Sequence, residues 1–498
     1  KRTLQPWDLL NIREVALRFF CDQPNEVMLK IRNCRLLWPY VIETAQQGDL
    51  KITGLKGNVP KVPRYSRFEL AFQLNRRFRN PYDPDEIDVS ITLSDPAGNV
   101  MQHPGYYHEP WAVKLVNGRE RVRRNGTPTW RIRFTPWTPG TYKWVVRAKA
   151  GRDLAKASGT FTCTPSNAKG FVRIAKRDRR MFEFSDGSSF FPIGHNIRSP
   201  SDRRPGIYRV KTIDNADWAD RRGTYAFERW FKKMAANGEN YSRIWMCPGW
   251  TGLESNQDYT GYHGLGYYNQ KNAARLDRLL ELAATHGIYV NLETFNHGQL
   301  STSIDPDWIH NPLNRQHPGG FLRYASDFFS SPRALELHRR RLRYTMARWG
   351  YSPQIVLWGI ITESEWVEAY FRGLGWVSEK QAAKNQETPY PYRSNRHVDK
   401  MRDWLTDTGK YIQTTDAHPH LVTTHFSNPG NGNEMWYRDP LQVVQNNAYT
   451  YFSSIWQRHR FRESNGVADV IYEYGRFFSQ YDDRPLLQNV GFELPPGG

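Results

Sequence analysis

The stretch "VLWGIITESEW", residues 356 to 366, decides how this chain is read. Val356, Leu357, Trp358, Ile360 and Ile361 make a nearly unbroken apolar run, as a strand buried on both faces requires. The run stops at Thr362 and Glu363 and offers a second acid at Glu365. Just upstream, "ALELHRRRLRYTMARWG" (334 to 350) places apolar residues at helical spacing and ends on glycine. A helix feeding a doubly buried strand is the repeating half of a parallel α/β sheet.

The same pattern recurs on both sides. Apolar segments at 190–196, 241–248, 288–296, 355–363, 420–427, 442–450 and 469–477 alternate with helical ones such as "AFERWFKKMAANG" and "RLDRLLELAATHG". Seven such strands predict an α/β fold of the (β/α)8 TIM-barrel type across 167–498. The eighth strand is not evident. The tail "SQYDDRPLLQNVGFELPPGG" is too short for a helix, a strand and a closing helix, so the chain is truncated, the closing strand comes from an unexpected segment, or the barrel is open; truncation is the favoured expectation.

Residues 62–166 have a different texture. "RFELAFQL", "IDVSITLSD", "TWRIRFTPW" and "GTYKWVVRAK" alternate apolar and polar residues between the turns "DPAG", "RNGTP" and "WTPG", which predicts a β-sandwich domain. The connector "CTPSNAKGFVRI" supplies few flexible residues, so this domain is expected to pack against the barrel. Residues 1–61 mix short apolar runs without drawing a closed domain.

The 498 residues carry a formal net charge of +19, spread in short runs such as "KRDRR" and "HRRRLR". That distribution reads as solvated surface rather than a nucleic-acid partner, and leaves an anionic glycan open. Aromatic residues make up 14% of the chain, with 18 Trp and 27 Tyr; flat rings serve sugar faces as well as cores. Four cysteines form neither a dense disulfide framework nor a paired ligand set; Cys21 and Cys34 are read either as a bridge or as buried thiols. No HExxH spacing appears, and HxH occurs once, at His418 and His420, without a further ligand motif beside it, so neither metal nor cofactor is expected. No apolar run reaches membrane-span length and no signal peptide is visible.

Polar residues at the carboxyl ends of barrel strands are the catalytic candidates. Glu363 ends the fourth expected strand and Glu473, in "VIYEYG", lies near the end of the seventh. One acid at a strand end reads as a rim residue; two facing across a mouth suit glycosidic bond cleavage, at about 5–5.5 Å for a retaining mechanism. His195 and Asn196, Asn296 and His297, and His425 follow other strands and are expected to line subsites. Trp245, Trp250, Trp358, Trp366 and Trp436 are candidate sugar platforms, with Trp250 and Trp366 favoured because they follow strand ends.

The sandwich, then "DGSSFFPIGHNIR", "NYSRIWM", "LDRLLELAATHGIYVNLETFNH", "RYTMARWGYSPQIVLWGIITESEW" and "VIYEYG", resembles glycoside hydrolases with an N-terminal sandwich domain of unknown function before a cellulase-like retaining barrel. The resemblance implies a retaining glycoside hydrolase acting on a carbohydrate, with Glu363 as general acid/base and Glu473 as nucleophile. It also implies a secreted or periplasmic location. Arg243 would bond Glu473 and keep it ionised, or serve as a structural ion pair beneath it. Tyr449 would bond the nucleophile or stand as an ordinary rim aromatic. The sequence departs from the family at Thr362, where an asparagine that bonds the sugar 2-hydroxyl is usual. That departure keeps a weak or inactive carbohydrate-binding relative as the alternative, and Glu365 remains the rival acid.

Overall fold

The computed structural model describes residues 15–19, 27–31, 48–200, 221–256, 261–373, 395–427, 435–436, 438–449 and 484–491. The chain divides into two units, 1–44 and 45–498. In the first, Val15–Phe19 and Val27–Ile31 pair antiparallel, Val15 opposite Ile31.

The second unit opens with β structure because its sequence alternates. In Asp88–Ser94, Val89, Ile91 and Leu93 are buried while the residues between them stay half-exposed, the period of two that a one-faced strand imposes. One sheet holds Ile52–Gly57, Phe68–Leu74, Thr129–Phe134 and Tyr106–His108; a second holds Lys61–Pro63, Asp153–Thr164, Gly140–Ala150, Asp88–Ser94 and Val100–Pro104. The two share one core, in which Phe68, Phe72 and Ile132 of the first meet Ile91, Tyr142 and Phe161 of the second. Phe68 stacks on Phe161 with ring centres 3.9 Å apart. The strand Ile52–Gly57 joins this unit upstream of Val62, where the sequence reading began it.

Beyond residue 170 the chain turns to parallel α/β structure. Strands β1 (Gly194–Asn196), β2 (Tyr241–Trp245), β3 (Tyr289–Glu293), β4 (Ile355–Gly359) and β5 (Leu421–Thr423) lie side by side in chain order, all parallel. Parallel bridges from Thr423 to Val443 and from Phe426 to Asn446 carry the sheet on to β6 (Val444–Tyr449), which pairs with β7 (Leu486–Gly491). Among the described residues β1 and β7 do not pair, so the strands do not close on themselves. Residues 469–477, the expected seventh strand, lie outside the described residues. The tail after them, read from the sequence without a strand, supplies β7.

Helices cover the sheet where the sequence caps them. In α1 (Thr224–Ala236), Ala226, Phe227, Phe231 and Met234 are buried. For α2 (Gln270–His286), the Asn269 side chain accepts from the Asn272 N–H, and Gly287 closes the helix at φ 66°, a left-handed conformation that glycine adopts without strain. For α3 (Pro332–Trp349), proline stands in the first turn and Ser331 caps Ala334. No helix among the described residues is long and apolar enough to cross a membrane.

The β unit is fastened to these helices by buried charge. Asp277 of α2 accepts from Arg133 Nη1 at 2.8 Å, Arg348 Nη2 at 2.6 Å and Trp349 Nε1 at 2.9 Å. Arg133 also reaches Glu69 at 2.6 Å. Burial alone would raise the Asp277 pKa, but Arg348 and Arg133 outweigh it and hold the carboxyl below its usual range. Nearby, Thr135 donates its N–H to His418 Nε2 at 3.1 Å.

Candidate functional site

The backbone beyond β4 stays wedged between its neighbours. Ile360 N–H bonds the Thr423 carbonyl, Thr362 N–H the Phe295 carbonyl and Ser364 N–H the His425 carbonyl. That stitching places Glu363 past the end of the strand with φ 41° and ψ 61°, a left-handed conformation that a non-glycine residue adopts at a cost.

Three hydrogen bonds close a ring around Glu363. Its N–H donates to His425 Nδ1 at 3.0 Å, His425 Nε2 bonds Asn447 Oδ1 at 2.8 Å, and Asn447 Nδ2 donates to Glu363 Oε1 at 3.0 Å. The backbone donor fixes Nδ1 as the acceptor, so the imidazole is neutral with its proton on Nε2. Burial, with Arg243 adding to it, pushes the His425 pKa well below its ordinary value, which agrees with that tautomer. Glu363 is thus tied through β6 to its own backbone, with its side chain 15% exposed and open to a ligand.

Thr362 is fully buried and its hydroxyl is committed. Oγ1 accepts the His297 N–H at 3.1 Å and lies 2.9 Å from His297 Nδ1. His297, also buried, stands 3.9 Å from Glu363 Oε2. Asn296 caps the short helical turn His297–Leu300 by accepting from Gly298 N–H. Glu365 is fully buried and accepts from both the N–H and the hydroxyl of Ser427 at 2.8 Å; burial pushes its carboxyl up to about 7, with the Glu363 charge adding. It anchors the turn after β5, and Glu363 is the more accessible acid.

Beneath the ring, β2, β3 and β6 bring polar side chains into one buried layer. Arg243 is 3% exposed, with its guanidinium carbon 5.6 Å from the centre of the Trp245 ring. Glu293 Oε1 accepts from Asn291 Nδ2 at 3.3 Å and Gln445 Nε2 at 3.5 Å, and Asn291 Nδ2 also reaches Gln445 Oε1 at 2.9 Å. Sequence reasoning missed Glu293, Asn291, Gln445 and Asn447. Their signal was two-residue spacing, 291 with 293 and 445 with 447, inside strands that read as apolar.

The other expected residues are placed elsewhere. His195 is exposed and bonds Glu239 Oε2 at 2.5 Å, and Asn196 beside it is exposed. Trp250 is buried and stacks on Phe227 at 4.8 Å with ring planes 8° apart, so it presents no open face. Trp366 is half-buried and donates to Ser427 Oγ at 2.7 Å. Trp245, Trp358 and Trp436 are buried. Glu473 and the Tyr449 side chain lie outside the described residues. Among the described residues no group of three or more His, Cys, Asp or Glu is placed to hold a metal ion.

A family model for a domain of unknown function, DUF5060, matches residues 61–149, within the two-sheet β unit. No curated protein matches the chain. Among solved structures, a provisionally assigned glycoside hydrolase from Bacteroides vulgatus is 16% identical, with a TM-score of 0.51 over 86% of this chain and 64% of that one. This chain therefore spans less than two thirds of that protein. An endo-1,4-beta-mannanase from Rhizomucor miehei (14% identity, 65% and 82% covered, TM-score 0.41) and a beta-glucuronidase from Bacteroides uniformis (12%, 88% and 39%, TM-score 0.36) are more distant. The expected likeness to glycoside hydrolases with an N-terminal domain of unknown function is met at the level of fold.

Proposed function

We propose that this protein is a retaining glycoside hydrolase that cleaves a poly- or oligosaccharide on a (β/α)8 barrel buttressed by its β-sandwich. Glu363 is the general acid/base and Glu473 the nucleophile, with Arg243 keeping the nucleophile ionised. The observation that carries the reading is the closed ring Glu363–His425–Asn447, which fixes a strand-end carboxyl whose side chain remains 15% exposed. An acid/base needs that combination: a held geometry and access to the leaving oxygen.

A second reading, a weak or inactive carbohydrate-binding relative, draws on Thr362. Its hydroxyl is fully buried and turned to His297, where the family's asparagine would present an amide to a sugar 2-hydroxyl.

A glycan panel that includes uronic-acid polymers, with the product anomer read by NMR, tests both. Retained configuration supports the proposal; inverted product overturns the retaining mechanism, and binding without turnover favours the second reading. Glu473→Gln is expected to abolish turnover of every substrate. Glu363→Gln is expected to lose natural glycans yet still form the glycosyl-enzyme from a dinitrophenyl glycoside, with azide speeding release as a retained glycosyl azide. The same behaviour in Glu365→Gln instead would move the acid two residues on.

A further inference from the structure

Glu293 occupies a place shaped for a carboxyl. It pairs in register with Gly359 of β4, and a methyl group at residue 359 would meet Glu293 Oε2 at 2.0 Å and its carboxyl carbon at 2.4 Å. The carboxyl therefore lies against the bare α-carbon of its neighbour, in space that any other residue would fill. One oxygen is held by Asn291 and Gln445, while Oε2 is buried without a hydrogen-bond partner among the described residues. Arg243 Nε and Nη1 are likewise buried and without a hydrogen-bond partner among the described residues. Each such group costs about 1–3 kcal/mol, and more where it is charged, so the layer is expensive as pure structure.

Several ionisable groups face it. They are Arg243 and Tyr241 from β2 and Glu363 from beyond β4; His425 from beyond β5 acts on Arg243 and His297 from the turn after β3 stands against Glu363, while β6 contributes only amides among the described residues. Burial pushes the Glu293 pKa up to about 7, against Arg243, Asn291 and Gln445, while the charge of Glu363 adds to the rise.

We propose that Glu293 is a positioning residue of this site, a buried carboxyl whose charge state sets how much of the Arg243 charge is felt at the strand ends. Protonated, it leaves the guanidinium charge uncompensated. Ionised, it offsets that charge and sets a second negative charge against Glu363. The inference rests on the hydrolase reading, and it adds an ionisation that this reading alone does not require.

The test is the pH dependence of kcat/KM in the wild type, Glu293→Gln and Glu293→Asp, with Gln445→Met as a variant that keeps the carboxyl and removes one of its donors. In Glu293→Gln the alkaline limb is expected to move by about one unit toward lower pH. In Glu293→Asp it is expected to move less, and in Gln445→Met, which loses a donor that favours the ionised Glu293, in the same direction as in Glu293→Gln but by a smaller amount. Difference infrared spectroscopy of the whole protein reads the same proton without activity: of the two carboxyl bands titrating near neutral pH, one should vanish in Glu293→Gln and the other in Glu365→Gln. Unchanged profiles in a folded, active Glu293→Gln, or an unaltered infrared titration, overturn the proposal. If no glycan is turned over, the hydrolase reading falls and the infrared titration still decides the proton on Glu293.

Discussion

Two tryptophans show how one residue type takes different duties. Trp250 lies parallel to Phe227 inside the core, whereas Trp366 is half-buried and held through its indole N–H by Ser427. Trp250→Ala is therefore expected to act on stability, by about 3–5 kcal/mol for a buried tryptophan, measured by denaturant unfolding. Catalysis per folded molecule should change little. A large rise in KM in a fully folded variant would make it a sugar platform after all. Both tryptophans follow strand ends in the sequence, and nothing local reports that Phe227, on a helix before β2, lies across from one of them. The same limit hid Asn447. Its role exists only because His425 and Glu363 arrive from two other strand ends, and a two-residue rhythm inside β6 names a face without naming the neighbours on it.

At the scale of elements, sequence rhythm was a good guide wherever burial alone shapes the element. Strand β4 was legible as an unbroken apolar run and β2 and β3 as apolar runs interrupted by Ser242, Arg243, Asn291 and Glu293; α2 and α3 were legible by their spacing and the glycines beyond them. The strand Leu486–Gly491 was not, because "LLQNVG" is short and half polar, and its partner β6 is distant in the chain. The attachment of the β unit was legible only as a stiff connector; the charges that fasten it come from a strand and two helices far apart in sequence. Asp277→Ala removes the shared acceptor of Arg133 and Arg348, both of them buried, and leaves two guanidinium groups without it. The expected cost is about 3–5 kcal/mol, the range for breaking a buried ion pair from one side. Urea unfolding measures it, and a loss below about 1 kcal/mol would mean that water replaces the carboxylate.

For the molecule as a whole, burial sets a pH optimum of stability. His103, His108, His338, His418 and His425 all have pKa values lowered by burial, His103 to about 3, so the unfolded chain binds protons below the ordinary value of 6.5 that the folded chain refuses. That stability is lost as pH falls from 6.5. Glu293 and Glu365 work the other way: each keeps its proton to about 7 when folded and releases it near 4.5 when unfolded, so their contribution falls as pH rises between those values. Five histidines outweigh two glutamates over the shared range. Asp277 and Asp416, both held below the usual carboxylate range, add to the loss in stronger acid. Thermal melts across pH should therefore peak near 6.5 and decline toward acid; a melting temperature that increases as pH falls from 6.5 to 5 would contradict the neutral state of the buried histidines.

The shared carboxylate of Asp277 also has a consequence for how the molecule comes apart. A single acid that answers to a strand on one side and a helix on the other leaves neither side a finished surface of its own. Cleavage of the chain between residues 165 and 170 should accordingly yield two fragments that travel together through a sizing column, and melt in one transition, until acid or denaturant dissolves the joint. Grafting the β unit onto a foreign scaffold would likewise mean carrying Asp277 and Arg348 along with it.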